Sequence, residues 1–312
     1  MSTLPKKPLL IAIVGPTSSG KSDLAVKVAK RWNGEVVSAD SRQVYKGLTI
    51  GSGKITKKEA RGVPHHLLDV ASPKQIFTVT RYQKLANKSI TQILERGRLP
   101  ILCGGTGLYI DAVLYHAAFP AVPPNPALRK QMEKRSTEYL FVKLQALDPV
   151  RAKTIDRYNK RRLIRALEIR RATKKPIMPL RQTSRYNILV LGVHIPYATL
   201  KKRIHIRLMK RLRQGLTGEV ANLHRKGLSW KRLDNFGLEY RFVSRYLREI
   251  REHPSTRARH ARARAEMIAA IEKESYRYAK RQVTWFKRNK EIQWIDRPEE
   301  ALVLVGQFLR NK

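Results

Sequence analysis

Apolar positions along the chain switch between a strand-like and a helix-like period. Leu9–Val14 is an unbroken apolar run ending in Gly15, the pattern of a parallel strand buried on both faces. From Ser22 to Arg31 the apolar residues Leu24, Ala25, Val28 and Ala29 share one helical stripe. Glu35–Ser38 predicts a second short strand leading to Asp40, and residues 63–70 hold another short apolar run. Thr80–Glu95 has helical spacing at Tyr82, Leu85, Ile90 and Ile93. Pro100–Cys103 predicts a strand that runs straight into Gly104-Gly105-Thr106-Gly107. Strands alternating with helices predict an α/β fold with a mostly parallel sheet flanked by helices.

The pattern changes at Phe119. Residues 120–126, Pro-Ala-Val-Pro-Pro-Asn-Pro, break it, and from there to Arg185 the only period is helical: 128–139, 142–147 and 161–172. Asn187–Ile195 returns to strand. Helices are predicted over 199–215, 219–225, 239–251 and 262–288, with a last strand over 291–296 and a terminal helix opened by Pro298. The expectation is a core of residues 1–119 and 187–312, interrupted by a helical insertion domain of residues 120–186. No internal repeat is found.

Composition narrows the class. The 312 residues suffice for two domains or one domain with an insertion, and 42% hydrophobic residues can build a core. A single cysteine excludes a disulfide scaffold and a Cys-rich zinc site. No apolar run reaches membrane-spanning length, and the run at Leu9 is too short for a secretory signal, so a cytoplasmic protein with no membrane association is expected. The net charge of +41 changes the picture more. Such an excess repels itself unless a polyanion screens it, which points to nucleic acid; a generally basic proteome is the bland alternative. Distribution favours the first reading. Between Arg151 and Gly215, 20 basic residues stand against two acidic ones, Asp156 and Glu168.

One motif carries specific chemistry. Gly15-Pro16-Thr17-Ser18-Ser19-Gly20-Lys21-Ser22 is a P-loop with a strand before it and a helix after it, which makes the predicted sheet P-loop NTPase-like. Its backbone N–H groups and helix start suit a diphosphate or triphosphate, Lys21 suits terminal phosphate oxygens, and Ser22 suits Mg²⁺. Asp40 lies at the carboxyl end of the second strand, where open α/β sheets bind ligands. It reads as a Walker-B-like Mg²⁺ ligand, a general base or a turn cap. Thr106 reads as a crevice residue or a helix N-cap. Tyr45, Tyr109 and Trp285 read as core residues or base-stacking platforms. His65 and His66 read as loop residues and Cys103 as a buried, inert thiol.

Together GPTSSGKS, SADSRQVYKGLTIGSGK, GVPHHLLD, GGTGLY, RRLIRALE and KRQVTWFK, in this order from Leu9 to about Asp296, resemble the tRNA dimethylallyltransferases (tRNA isopentenyltransferases) of the bacterial type. The resemblance implies transfer of a dimethylallyl group from dimethylallyl diphosphate to the exocyclic amine of the adenosine 3′ of the anticodon, releasing pyrophosphate. It implies that Gly15 to Ser22 and Arg207 bind the diphosphate with Mg²⁺ on Ser22, and that Lys21, Asp40 and Thr106 are catalytic, Asp40 as the base. It implies tRNA contacts at Asp40, Ser41, Arg42, Gln43, Thr106 and Arg129. Further tRNA contacts are implied at Arg161, Arg162, Leu163, Ile164 and Arg165, at Tyr240 and Arg241, and at Lys280, Arg281, Gln282, Thr284 and Trp285. The partners implied are a tRNA anticodon stem-loop and dimethylallyl diphosphate, met by a monomer. One departure stands out: the family usually has a Gly-Tyr pair where this chain has Glu239-Tyr240.

The residues alone leave three competing readings. An enzyme prenylating free adenine nucleotides would share the P-loop and Asp40 but would not need the basic insertion. A P-loop kinase would use Asp40 on Mg²⁺ or on its acceptor. A purely RNA-binding protein would not need a complete P-loop with Asp40 and Thr106 at neighbouring strand ends.

Overall fold

The computed structural model describes residues 7–115, 119–120, 122–177, 184–252 and 256–311. Residues 1–6, Ala121 of the Pro-rich break and residues 178–183 at the end of the predicted insertion lie outside the described residues. Two compact units are present, Met1–Leu114 with Ser184–Lys312, and Tyr115–Thr183.

In the first unit, β1 (Leu9–Val14) leads through the P-loop into α1 (Lys21–Arg31), and β2 (Gly34–Ser38) follows. Next come the one-turn α2 (Lys57–Ala60), β3 (His65–His66), α3 (Val79–Glu95), β4 (Leu99–Gly104) and α4 (Gly107–Leu114). The described strands form one sheet in the order β3-β2-β4-β1-β5-β6, every pair parallel. β5 spans Asn187–Val193 and β6 spans Gln293–Ile295. The continuous apolar run of β1 follows from this topology. Ile11 and Ile13 join a cluster with Leu24 and Val28 of α1, while the alternate residues Leu10, Ala12 and Val14 are equally buried. His65 and His66, expected in a loop, instead pair with Val36 and Val37 at the sheet edge. His66 Nε2 lies 2.5 Å from the buried Glu35 carboxylate, which Arg96 and Arg98 also hold.

The second unit is helical: α5 (Pro126–Glu133), α6 (Thr137–Leu147), α7 (Pro149–Thr154) and α8 (Lys160–Thr173). The single helix expected over 128–139 is two, because the Ser136 hydroxyl accepts from Tyr139 N–H and starts a new one. Asp148 and Pro149 likewise start the short α7, for which no expectation was made. Met132, Leu140, Leu144, Leu163, Ile164 and Leu167 form its core.

The first unit then resumes with β5, α9 (Tyr197–Arg213), α10 (Leu216–Arg225) and α11 (Trp230–Phe236). It closes with α12 (Leu238–Glu252), the 30-residue α13 (Arg257–Phe286), β6 and α14 (Pro298–Arg310). The carboxyl ends of β1, β2, β4 and β5 open on one crevice, faced by α9, α12 and α13. Among the described residues no helix is long and apolar enough to cross a membrane.

Candidate active site

The P-loop turns sharply because Ser18 and Gly20 both take positive φ, 62° and 96°. Glycine carries no penalty there and delivers the chain directly into α1. A side chain from far along the sequence fastens the turn. Gln282 Oε1 accepts from Thr17 N–H at 2.8 Å, and its Nε2 donates to Gly105 O at 2.8 Å. One buried amide of α13 thus ties the loop after β1 to the loop after β4.

Cations crowd this end of the sheet. Lys21 Nζ donates to Pro16 O at 3.2 Å. Arg203 Nη1 donates to Ser19 O at 3.2 Å, and Arg207 Nη1 donates to Thr17 Oγ1 at 2.8 Å. Burial, aided by the Arg207 charge, holds Lys21 below the usual lysine range, although Asp40 pulls the other way. Burial and neighbouring Arg211 bring Arg207 down to about 10. Groups that bear such strain without an anion are arranged to receive one. The buried Ser19 hydroxyl, which has no hydrogen-bond partner among the described residues, faces the same space.

Asp40 and Thr106 meet across neighbouring strand ends. Asp40 Oδ1 accepts from Arg42 N–H at 2.8 Å, which is the turn-capping role. No hydrogen bond among the described residues engages its Oδ2. Thr106 stands directly before α4 and its carbonyl accepts from Tyr109 and Ile110 N–H, while its Oγ1 accepts from Ser41 N–H at 3.1 Å. Tyr278 of α13 lines the crevice, and burial pushes its phenol up to about 12. Tyr278 was not among the residues expected here. Its only sequence signal is a position one helical turn before Gln282.

The remaining expected contacts divide into exposed and committed groups. Arg42 Nε donates to Phe236 O. The Gln43 amide is held by Ser38 Oγ at 2.9 Å and Gly53 O at 3.1 Å, so it frames the crevice. Arg241 lines the crevice and donates to Asp234 O at 3.2 Å. Lys280, Arg281 and Thr284 are exposed on α13, whereas Gln282 is buried in its tether. Trp285 is half-buried, its indole N–H donating to Asp111 Oδ2 at 3.0 Å. Burial raises that carboxyl to about 6. Tyr240 corrects the expectation of an RNA contact: it is 1% exposed, and its hydroxyl donates to Glu219 Oε1 at 2.8 Å and accepts from Ser52 N–H at 3.1 Å. Glu219 in turn accepts from Thr49, Ile50 and Gly51 N–H. Tyr45 and Tyr109 are core residues, Tyr109 stacked on Tyr82 at 3.8 Å. Cys103 is buried, its thiol pushed up to about 11.

In the helical unit, Arg161 and Arg162 are exposed at the start of α8. Leu163 and Ile164, at 0% and 3% exposure, are core residues and cannot touch a partner. Arg165, expected as a tRNA contact, is engaged within the unit. Glu168, 2% exposed, receives Arg129 at 2.7 Å and Arg165 at 2.5 Å. Burial alone would raise this carboxyl, but Arg129, the Asn125 N–H and Arg165 together bring it down to about 2.

Comparison with known proteins matches this geometry to one family. The model of the family described as IPP transferase matches residues 43–289. A tRNA dimethylallyltransferase of Acetivibrio thermocellus is 38% identical over 299 residues, covering 93% of this chain and 92% of that protein. The crystal structure of a full-length tRNA isopentenylpyrophosphate transferase from Bacillus halodurans superposes with a TM-score of 0.70 at 36% identity, covering 98% of this chain and 96% of that one. A eukaryotic dimethylallyltransferase acting on tRNA shares the fold, with a TM-score of 0.80 at 22% identity over 98% of this chain and 80% of that one.

Proposed function

The chain belongs to the IPP transferase family, and on that footing we propose that it transfers a dimethylallyl group from dimethylallyl diphosphate to the exocyclic amine of the adenosine 3′ of the anticodon in tRNA. The observation that carries the reading is the cluster of Lys21 and Arg207 on a P-loop, with Asp40 and Ser41 lining the same crevice and Thr106 bonded to Ser41 N–H. The allylic C1–O bond breaks and its electrons leave with pyrophosphate. Lys21, Arg207 and the loop N–H groups meet the negative charge that develops there. The adenine nitrogen bonds to C1, and its proton passes to Asp40, whose unengaged Oδ2 suits a general base. Thr106, fixed by Ser41 N–H, positions the amine. The target base leaves its stack to reach this crevice, at a cost of a few kcal/mol.

Mg²⁺ fits the same arrangement. Ser22 supplies a hydroxyl in the first turn of α1, and no cluster of three His, Cys, Asp or Glu exists among the described residues, so phosphate oxygens and water would complete the shell in the manner Mg²⁺ prefers. When bound, the ion would neutralise diphosphate charge. A monomer acting in the cytoplasm completes the reading, and the exposed Arg161, Arg162, Lys280 and Arg281 support an anticodon stem-loop as its partner.

The test is a turnover assay with the full chain, Mg²⁺, unmodified tRNA and labelled dimethylallyl diphosphate, without ATP. Pyrophosphate should appear in step with tRNA labelling, and Lys21→Ala should abolish both. A requirement for ATP would restore the kinase reading. Label entering AMP but not tRNA would select the free-nucleotide enzyme.

A further inference from the structure

Arg203, Arg207 and Arg211 follow one another at four-residue spacing on the crevice face of α9. The first two reach the P-loop. Arg211 does not. It is 6% exposed, and its Nη1 donates to Glu239 Oε1. Its Nη2 is buried with no hydrogen-bond partner among the described residues. A Cβ added at Gly53 would lie 1.9 Å from Arg211 Nη2 and 2.1 Å from Arg207 Nη2, so both nitrogens pack against Gly53 where a side chain would otherwise stand, and all three residues line the crevice. A buried guanidinium donor without an acceptor is costly, and a second one aimed at the same point compounds the repulsion. Glu239 answers one of the two charges. An anion seated beside Gly53 would answer the other.

We infer that Nη2 of Arg207 and Nη2 of Arg211 form a phosphate-oxygen subsite beside Gly53, beyond the P-loop cradle, that takes the terminal phosphate of the prenyl diphosphate while Glu239 holds Arg211 in place. The inference rests on the prenyl-transfer reading above. Arg207 links the two places, with Nη1 on Thr17 and Nη2 at Gly53. A phosphodiester of the RNA offers the same oxygens, so both ligands are measured.

Inorganic pyrophosphate and an anticodon-arm RNA are titrated separately into the full-length wild type, Arg211→Met, Glu239→Gln and the double variant Arg211→Met/Glu239→Gln. The double variant removes both members of the Arg211–Glu239 pair, so neither is left stranded, and melting curves verify its fold. Arg211→Met and the double variant should both bind pyrophosphate about tenfold or more weakly, the scale of one charge-assisted hydrogen bond, with RNA affinity unchanged. Glu239→Gln should weaken pyrophosphate binding, because Arg211 loses the carboxylate that holds it in place, and unchanged binding would remove Glu239 from the subsite. Wild-type pyrophosphate affinity in a folded double variant overturns the subsite. Weakened RNA binding with unchanged pyrophosphate binding overturns the diphosphate assignment in favour of a nucleic-acid phosphate. Failure of the underlying reading has a different signature: Lys21→Ala would bind pyrophosphate as tightly as wild type.

Discussion

Asp40 divides its two oxygens between structure and chemistry. Oδ1 caps the turn at Arg42, and Oδ2 is unengaged. Asn in its place still caps the turn with its carbonyl oxygen but cannot take a proton. Asp40→Asn should therefore retain tRNA and pyrophosphate affinity while turnover falls by about two orders of magnitude or more, as read from single-turnover rates. Near-normal rates would leave Asp40 a turn residue. The thiol of Cys103, raised to about 11 and buried, should resist iodoacetamide at neutral pH until the protein is unfolded, which mass spectrometry of native and denatured samples reads directly. Residues whose place is set by neighbours in sequence were legible in advance: the P-loop, Asp40 and Thr106 each follow a strand, and the structure puts each at that strand's carboxyl end. Tyr240 and Gln282 were not. Each is defined by a partner more than 150 residues away, Ser52 for the first and Thr17 for the second, and periodicity carries no information at that range.

At the scale of elements, apolar period located the long strands and helices, while caps decided the breaks. Ser136 split one expected helix, Asp148 and Pro149 added a short one, and Ser229 starts α11, which the apolar period did not reveal. The pairing of α5 with α8 was equally hidden, because it runs through Glu168, which the charge count registers only as a rare acid among bases. Glu168 is held near pH 2 in the folded chain, below its unfolded value, so its stabilisation is complete above about pH 4.5 and is lost as pH falls toward 2. Removing the charge leaves Arg129 and Arg165 facing each other. Glu168→Gln should lower the melting temperature of the helical unit at pH 7 and flatten its decline between pH 4.5 and 2, followed by circular dichroism. An unchanged acid limb would mean that other carboxylates govern acid unfolding.

Across the whole molecule, the charge of +41 reports a partner more than a fold. Neutralising Z phosphates of a duplex stem should give a slope of about −0.9Z in the logarithm of tRNA affinity against the logarithm of salt. Charge reversal at both Arg161 and Arg162, which are exposed, should weaken tRNA binding and reduce that slope while pyrophosphate affinity stays unchanged. Loss of both affinities together would indicate a damaged fold instead. Chain order has a consequence for synthesis. The P-loop lies near the amino terminus, yet its Thr17 N–H is satisfied by Gln282, and β1 has β5 as one of its two neighbours. A nascent chain on the ribosome therefore exposes its phosphate-binding sequence early, but the loop is not fastened until α13 has left the exit tunnel. Any chain that ends before α13 therefore lacks the side chain that holds Thr17 N–H, and its P-loop stays untethered to the loop after β4.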